Sequence, residues 1–273
     1  MLLAIASPQK RTNAIHYCVR GIIAAVGSKR PCDLVPLDIP GIVRNYTSFS
    51  PGTRYQYHSY LRSLLRQLAD NYGAPRGLER EVPRLDQPAP RNRTVTAAEQ
   101  EAILNAASPA MRCFVLLCSD LALRSGTAVR ISPSTYDPEA RTVNFVTKKQ
   151  TAQTLPVTAE LQAIFASAAR CPVDTPYVTF LSIRQGRQRV SYAQSFKHLL
   201  RRIGLDERIR PHDFRRTTAV AVMKQTHDLR DVQALLGHKR LTTTMHYLDH
   251  GITPVKLSTL ELAKLRVVTE RPQ

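Results

Sequence analysis

The sequence predicts a mostly α-helical (α+β) protein with a small β-sheet, divided into two domains. Most segments repeat apolar residues at helical spacing, as the four leucines between positions 61 and 68 do at i, i+3, i+4 and i+7. Residues 141–157 instead alternate like two strands around a turn. Residues 74–93 hold four prolines among charged residues and lack apolar periodicity, which is typical of a linker.

Two helices are expected before the linker, over residues 12–27 and 53–72. The leucines of the second helix form its apolar face. Arg62 and Arg66 lie four residues apart on another face, where they could meet phosphate. Gly73 and Pro75 then occupy the positions expected just after a helix C-terminus.

After the linker, Thr96 followed by Glu99 fits a capping box that opens a helix. An apolar stretch over residues 110–131 is expected to be helical and to end around Arg124. Strand, turn and strand follow over 141–157. The remaining segments expected to be helical are 158–170, 191–203, 212–226, 229–236, 242–249 and 256–266. The domain boundary is placed near residues 86–93, which gives domains 1–88 and 89–273.

The chain is strongly basic, with 39 Lys and Arg against 21 Asp and Glu, a net charge of +18 and a pI near 10.2. Residues 1–88 carry 12 basic and 6 acidic side chains, and the remainder carries 27 and 15, so both domains could touch a polyanion. Such a charge repels itself unless a polyanion neutralises it, and nucleic acid is the expected one. The alternative is a solvated basic surface.

The five cysteines show neither CxxC pairing nor histidines at zinc spacing. An odd count in a chain without a basic signal-like start favours reduced thiols and a cytoplasmic location. Cys113 and Cys118 fall in an apolar run, so we expect them in the core. No apolar run reaches the length of a membrane span, so no membrane partner is expected.

The last third of the chain gathers residues suited to phosphate chemistry. His212 and Arg215 share one helix face, and Pro211 before them suits a first helical turn. The N–H groups at such a helix start favour an anion. His238 follows Gly237, a candidate helix C-cap that would expose the imidazole in a turn.

Tyr247 lies in a further helical segment, which the threonines at 242–244 could cap. A phenol with a pKa of about 10 is a weak nucleophile. It becomes effective when positive charge stabilises the phenolate or when a base takes its proton. Singly, a turn histidine is usually solvated and a helical tyrosine usually packs; together with His212 and Arg215 they indicate phosphodiester chemistry.

The order of Pro211–Arg216, Leu235–His238 and Met245–Leu248 resembles the C-terminal signature of the tyrosine recombinases, the phage integrase family. The resemblance covers about residues 94–267 and is strongest over 211–247. It adds Arg124, which follows an apolar helix, and Lys148, in a turn ahead of the Leu-Pro-Val step at 155–157; Lys149 is the alternative. The catalytic set that the resemblance implies is Arg124, Lys148, His212, Arg215, His238 and Tyr247.

The resemblance implies a site-specific DNA recombinase or integrase, an enzyme that cleaves and rejoins strands without metal, ATP or other cofactor. Arg124 and Arg215 would hold the non-bridging phosphate oxygens. Lys148 would protonate the departing 5′-oxygen. The two histidines would handle the tyrosine proton (His212) and hydrogen-bond the phosphate (His238). The tyrosine would form a 3′-phosphotyrosyl link that retains the energy of the broken bond.

The family also implies an architecture and partners. A helical core-binding domain, residues 1–88, and a catalytic domain, residues 89–273, would form a clamp on double-stranded DNA, with a tetrameric homo-oligomer as the synapse. The protein would be a minimal mobile-element integrase or a Xer-like enzyme that acts at the nucleoid. Residues 256–266 would dock on a neighbouring protomer or pack on their own domain. Candidate DNA contacts are Arg62, Arg66, Lys149 and Arg216.

Three positions depart from the family pattern. Ala122 and its neighbours replace the usual Thr-Gly pair, Thr127 replaces an acidic residue, and Phe214 replaces Leu. The Thr127 change removes a partner for an Arg or His. Two alternatives therefore stand beside the active recombinase: a DNA-binding relative impaired in catalysis, and a type IB topoisomerase.

Overall fold

The structure is a computed structural model that describes residues 13–27, 29–89, 91–146, 152–183 and 191–248. Within the helices, the side chains at 13–18 and 246–248 are outside that description. Lys148, Lys149 and the predicted tail helix at 256–266 also lie outside the described residues. By its internal contacts the chain divides into two compact units, Met1–Arg91 and Asn92–Gln273.

The described part of the first unit is helical. Its helices are Asn13–Val26 (α1), Asp38–Arg44 (α2) and Pro51–Tyr72 (α3), and Pro31–Asp33 and Leu78–Arg80 form 3₁₀ turns. The sequence analysis missed α2, which is only seven residues long and contains Pro40 and Gly41. Both residues have low helix propensity. The helix is nevertheless stabilised by burial of Ile39 and Ile42, which are completely buried.

Helix α3 carries the apolar face that the leucine spacing predicted. Leu61, Leu64, Leu65 and Leu68 are all buried in the core of this unit. The predicted stop at Gly73 is confirmed, because this residue adopts the left-handed conformation with φ of 69°. The N–H of the next residue, Ala74, then bonds back to the carbonyl of Leu68 at 3.2 Å.

The second unit contains most of the described helices. They are Ala97–Ala106 (α4), Pro109–Ser119 (α5), Ser125–Ala128 (α6), Ala159–Ser167 (α7), Tyr177–Ile183 (α8), Tyr192–Arg202 (α9), Pro211–Thr226 (α10), Leu229–Leu236 (α11) and Leu241–Leu248 (α12). The predicted capping box is confirmed at the start of α4, where Thr96 and Glu99 each bind the other's backbone N–H. The sequence analysis did not identify α8.

The second unit also contains a small antiparallel sheet. Its strands are Tyr136–Asp137 (β1), Thr142–Val146 (β2) and Ala152–Pro156 (β3), in the order β1-β2-β3. The sequence predicted β2 and β3, whereas β1, with only two residues, is too short to show alternation. Phe145 of β2 pairs with Gln153 of β3. The prediction of a mostly helical fold with a small sheet is confirmed.

Helix α5 is the centre of this unit and packs against α7, α8, α9 and α10. Nearly every residue of α5 is buried, including Cys113 and Cys118, which confirms the expectation that these thiols pack in the core. Burial raises the pKa of each of these two thiols to about 12, so both stay protonated at neutral pH. They act as small apolar groups.

The long helix expected over residues 110–131 is wrong in its extent. Helix α5 ends at Ser119, and a separate short helix, α6, begins at Ser125. The helix does not continue, because Ala122 takes the left-handed conformation with φ of 48°. The N–H of Leu123 then bonds back to the carbonyl of Leu117 at 3.1 Å. This is the same ending that α3 makes around Gly73, with alanine in the place of glycine.

Candidate functional site

The start of α10 presents His212 as the sequence predicted. Pro211 opens the helix, and the buried carboxylate of Asp213 accepts a hydrogen bond from the backbone N–H of Arg210 at 2.9 Å. That bond satisfies one of the donors that a helix start leaves without an intrahelical partner. His212 lies one residue inside the helix and is exposed.

Arg215 lies one turn further along α10 and is 2% exposed. Its guanidinium donates to the carbonyl oxygens of Ala122 and Leu236, the latter at 2.7 Å. Ala122 belongs to the turn before Arg124, and Leu236 ends α11. Ala122 is thus both the left-handed residue of this turn and the acceptor for Arg215. Two distant segments are thereby joined at one charged group.

Arg124 is the exposed member of the arginine pair. It is the N-cap residue of α6, and its carbonyl accepts hydrogen bonds from the N–H groups of Thr127 (2.7 Å) and Ala128 (2.9 Å). The short helix therefore holds the backbone of Arg124. The guanidinium comes close enough to His212 to influence its titration.

The environment of His212 lowers the pKa of its imidazole below the ordinary value of 6.5. Partial burial of the ring is the largest cause, although the residue as a whole keeps much of its surface exposed. The charges of Arg215, Arg124 and Arg216 also lower the pKa, and Asp213 opposes them. The structure thus brings together the predicted residues Arg124, His212 and Arg215, with Arg216 beside them.

His238 is placed differently from the expectation of an exposed turn residue. Gly237 does cap α11 in the left-handed conformation, with φ of 58°, but His238 after it is buried. Its Nδ1 lies 3.1 Å from the hydroxyl of Thr244, which is completely buried. The expected capping role of the threonines is also wrong, because α12 begins at Leu241 and Thr244 lies inside it. The packing of α12 on α11 encloses the imidazole.

The two remaining catalytic candidates are less fully described. Tyr247 belongs to α12, in the helix that follows His238, but its side chain lies outside the described residues. Lys148 and its alternative Lys149 fall between β2 and β3, again outside the described residues. Their roles remain predictions.

A polar cavity of about 430 Å³ adjoins His238. It is lined by the start of β3, by residues of α11 and by the turn after that helix, including Gln153, Arg230, Gln233 and Lys239. The side-chain amide of Gln153 reaches from β3 to the carbonyl oxygens of Ala234 (2.9 Å) and Leu235 (3.4 Å). This contact joins the sheet to the segment that carries His238.

The first unit holds an arginine-rich cavity of its own, about 480 Å³ in volume. Its lining includes Arg62 and Arg66 of α3, together with Arg80 and Arg84, and one acidic residue, Glu79. The segment after α3 is held against that helix in part by His58, whose Nδ1 lies 3.0 Å from the carbonyl of Pro83. The two arginines proposed from their spacing therefore share a cavity with two more.

The comparison with protein families identifies the chain. The model of the Phage integrase family matches residues 93–252, which is more than half of the sequence. The chain belongs to this family, the tyrosine recombinases. Members of the family bind DNA and carry out site-specific DNA recombination by cleaving and rejoining strands.

Several tyrosine recombinases resemble this chain. Tyrosine recombinase XerC of Agrobacterium fabrum is 27% identical over 235 residues, which cover 79% of this chain and 73% of that protein. XerC of Chlamydia pneumoniae is 30% identical over 148 residues, covering 52% of this chain and 47% of that protein, so this match spans about half of the relative.

Solved integrases share the fold of this family member. A lambda integrase dimer bound to a COC' core site has a TM-score of 0.67 at 18% identity, with 90% of this chain and 74% of that chain covered. The Tn1549 transposon integrase in complex with a circular intermediate DNA has a TM-score of 0.65 at 14% identity, with 94% and 92% covered. At these identities the likeness shows the fold.

Sequence reasoning missed three residues that shape the site of this tyrosine recombinase. They are Ala122, whose carbonyl binds Arg215, Thr244, which contacts His238, and Gln153, which binds the end of α11. Only Ala122 left a signal, as a departure from the family pattern. Gln153 and Thr244 act across 81 and 6 residues of chain through contacts that no local pattern encodes.

Two features are absent from the described part of this recombinase. No helix there is long and apolar enough to cross a membrane. Among the same residues, no cluster of three or more His, Cys, Asp or Glu side chains is arranged to hold a metal ion.

Proposed function

We propose that this protein cleaves and rejoins DNA at a specific site through a 3′-phosphotyrosyl intermediate at Tyr247. The observation that carries the proposal is the cluster at the start of α10. There the positive charges of Arg124, Arg215 and Arg216 all lower the pKa of His212. In a member of the tyrosine recombinase family, this concentration of positive charge beside an imidazole suits a scissile phosphate.

Arg124 and Arg215 would neutralise the phosphate oxygens as charge builds up at phosphorus. Arg215 is suited to a fixed role, because hydrogen bonds to Ala122 and Leu236 define the plane of its guanidinium. A guanidinium has five N–H donors, and these two carbonyls take two of them. Arg124, which is exposed, would meet the phosphate from the solvent side. Guanidinium groups suit this role because they offer planar, bidentate donors to phosphate oxygens.

His212 would accept the proton of Tyr247. Burial and the neighbouring arginines lower the pKa of His212, so the imidazole is neutral at pH 7 and has a lone pair for the phenol proton. Once protonated, the imidazolium would lie beside arginines, which favours return of the proton during rejoining. The same residue can therefore serve both directions of the reaction.

His238 would donate a hydrogen bond to a phosphate oxygen. When the hydroxyl of Thr244 donates to Nδ1, a neutral imidazole carries its proton on Nε2. The partner at one ring nitrogen thus selects a donor at the other. Burial of His238 and Thr244 holds this arrangement.

In the chemical step, the phenol oxygen of Tyr247 would form a bond to phosphorus as the bond from phosphorus to the 5′-oxygen breaks. The phenol proton passes to His212, and Lys148 supplies a proton to the departing oxygen. The phosphotyrosyl link keeps the phosphate esterified. A 5′-hydroxyl from another strand can then attack it and release the tyrosine, so the reaction balances without a further reactant.

The first domain and the oligomer belong to the same proposal. Residues 1–88 would contact DNA through the arginine-rich cavity of the first unit, and a tetramer would hold two duplexes. The lambda integrase, whose fold this chain shares, was crystallised as a dimer on DNA. The net charge of +18 supports a polyanionic partner.

The test uses nicked suicide duplexes tiled from the DNA that flanks this gene. Wild-type protein and Tyr247→Phe are incubated with each duplex and analysed on a denaturing gel. A covalent protein–DNA adduct with wild type alone is expected, and it would identify both nucleophile and site. Salt-sensitive binding of the same duplexes without an adduct would contradict the proposal.

The second candidate is a DNA-binding relative with impaired catalysis. It is favoured by Thr127, which stands where the family usually has an acidic residue and whose N–H binds the carbonyl of Arg124. On this alternative, Thr127→Glu would restore adduct formation to a protein that binds DNA but does not cleave it. An adduct formed by the wild-type protein excludes this candidate.

A further inference from the structure

The end of α11 receives side chains from two other elements. The carbonyl oxygens of Ala234 and Leu235 accept hydrogen bonds from Gln153 of β3, and that of Leu236 accepts one from Arg215 of α10. The last carbonyls of a helix lack intrahelical partners and carry partial negative charge. Three successive carbonyls are thus bound by two side chains of different origin.

Gly237 brings Gln153 still closer to this helix end. The residue is left-handed, and a Cβ at this position would collide with the side-chain amide of Gln153. The amide therefore lies directly over the Cα of Gly237. Glycine suits this position because it adopts the left-handed conformation without strain, and because a Cβ here would displace the Gln153 amide.

His238 follows this junction in the chain and depends on it for its position. Its N–H bonds to the carbonyl of Gln233 at 3.1 Å, and its own carbonyl accepts from the Gln233 side chain at 2.8 Å. Both hydrogen bonds tie His238 to Gln233, in the last turn of α11. A shift of that turn would therefore move the imidazole with it.

Gln153 itself has a firm anchor. It pairs with Phe145 in the β2–β3 ladder, and Leu155, two residues along the same strand, is buried in the core of the unit. The residue as a whole is half-buried, and its longer hydrogen bond, to Leu235, is partly shielded from water. Strand β3 thus holds the Gln153 donor, and the hydrogen bonds from this donor position the end of α11.

We propose that Gln153 is a positioning residue for DNA cleavage: by holding the end of α11 it sets the positions of His238 and of the Arg215 guanidinium. The inference rests on the proposed function, because it assigns Gln153 an effect on strand cleavage. It assigns Gln153 an effect that passes through the end of α11. Misplacing a phosphate-binding group by about 1 Å can slow a reaction about 100-fold.

Two variants remove the donor in different ways. Gln153→Glu keeps the size but places a carboxylate against the partial negative charge of the helix end. Gln153→Met keeps the length without charge, and it serves where the glutamate variant fails to fold. Gln153→Lys restores a donor and is the rescue variant. The control is Thr154→Val, which changes the next residue of β3 and removes its hydrogen bond to Asn144 of β2.

The first readout separates cleavage from binding on a nicked duplex that the wild-type protein cleaves. Gln153→Glu and Gln153→Met are expected to lower the single-turnover cleavage rate about 10- to 100-fold with little change in DNA affinity. Gln153→Lys should recover most of the rate, and Thr154→Val should match the wild type. Wild-type cleavage by Gln153→Met, or a parallel loss of affinity and rate, would overturn the proposal.

The second readout does not depend on cleavage. In protein labelled at histidine with ¹⁵N, the imidazole signals of His238 are assigned from their loss in His238→Gln. Gln153→Met should shift these signals, whereas Thr154→Val should leave them in place. Unchanged His238 signals in Gln153→Met refute the positioning role. If the wild type forms no adduct while the signals shift, the proposed function fails and the positioning of His238 stands.

Discussion

The guanidinium of Arg215 donates a hydrogen bond to the carbonyl oxygen of Leu236, 2.7 Å away, and so joins α10 to the end of α11. The same guanidinium reaches Ala122, in the turn that leads to Arg124. A positive charge at a helix C-terminus is favoured by the helix dipole. Arg215 therefore has a structural partner on each side as well as a proposed phosphate ligand.

Arg215→Lys tests this double role. A lysine keeps the charge but cannot reach both carbonyls in the geometry of a guanidinium, so one buried acceptor loses its donor. We expect the free energy of unfolding, measured with urea, to fall by about 2 kcal/mol, and adduct formation to be lost. Arg230→Lys, on the exposed face of α11, is the control and should change stability by less than about 0.5 kcal/mol. Equal effects of the two changes would argue against the structural role.

His212 should make the folded protein sensitive to acid. Its pKa in the folded state lies below the ordinary value of 6.5, so the unfolded chain binds a proton first as the pH falls. Well above pH 6.5 both states are neutral and His212 has no effect. Between 6.5 and the lowered pKa stability is progressively lost, and below that pKa the full penalty remains.

His212→Gln should therefore flatten the loss of stability just below pH 6.5. Urea midpoints measured between about pH 5 and pH 8 give the comparison. His198→Gln, which removes an exposed histidine of α9, is the matched control and should keep the wild-type profile. A His212→Gln profile parallel to that of the wild type would contradict the assignment of its pKa.

Ala122 should tolerate glycine and reject valine. Its left-handed backbone costs an L-residue about 1–2 kcal/mol, whereas deleting its buried methyl group costs about 0.8 kcal/mol. The free energy of unfolding of Ala122→Gly should thus lie within about 1 kcal/mol of the wild-type value. Ala122→Val combines overpacking with a β-branched residue at positive φ and should cost more than about 2 kcal/mol.

Ala219→Val is the control for this pair of changes. Ala219 is equally buried and belongs to the same cluster, but it lies in a right-handed helix. It measures the cost of overpacking alone. A cost at Ala122 no greater than that at Ala219 would mean that the backbone conformation at Ala122 adds no strain.

The arginine-rich cavity of the first unit should contribute to the salt dependence of DNA binding. Each phosphate contact adds about 0.9 to the slope of log K against log salt. The double variant Arg62→Gln/Arg66→Gln should therefore reduce the slope by about 2. Arg30→Gln removes a charge that is paired with Asp33 in the same unit, and should leave the slope unchanged. An unaltered slope in the double variant would remove this cavity from the DNA-contacting surface.

Much of the fold could be predicted because its signals are local. The leucine face of α3, the capping box at Thr96 and the glycine ends at Gly73 and Gly237 each depend on a few adjacent residues. Chemistry also left a clear pattern at His212 and in the segment after it. These parts required no knowledge of how distant segments pack.

The features that sequence reasoning missed depend on packing. Helix α2 contains Pro40 and Gly41, and burial of its isoleucines overrides their low propensity. The apolar run beyond Ser119 continued at helical spacing, yet Ala122 turned the backbone and ended the helix. His238 is buried where α12 packs against α11. None of these outcomes follows from residues near each other in the chain.

The hydrogen bonds at the end of α11 have a consequence for biosynthesis. Gln153 is 81 residues from Ala234, and Arg215 is 93 residues from Ala122. A chain that ends before Ala234 contains both donors and the Ala122 carbonyl, but lacks the acceptors that the end of α11 supplies. The hydrogen bonds that hold the end of α11 can therefore form only after the residues of α11 have been added to the growing chain.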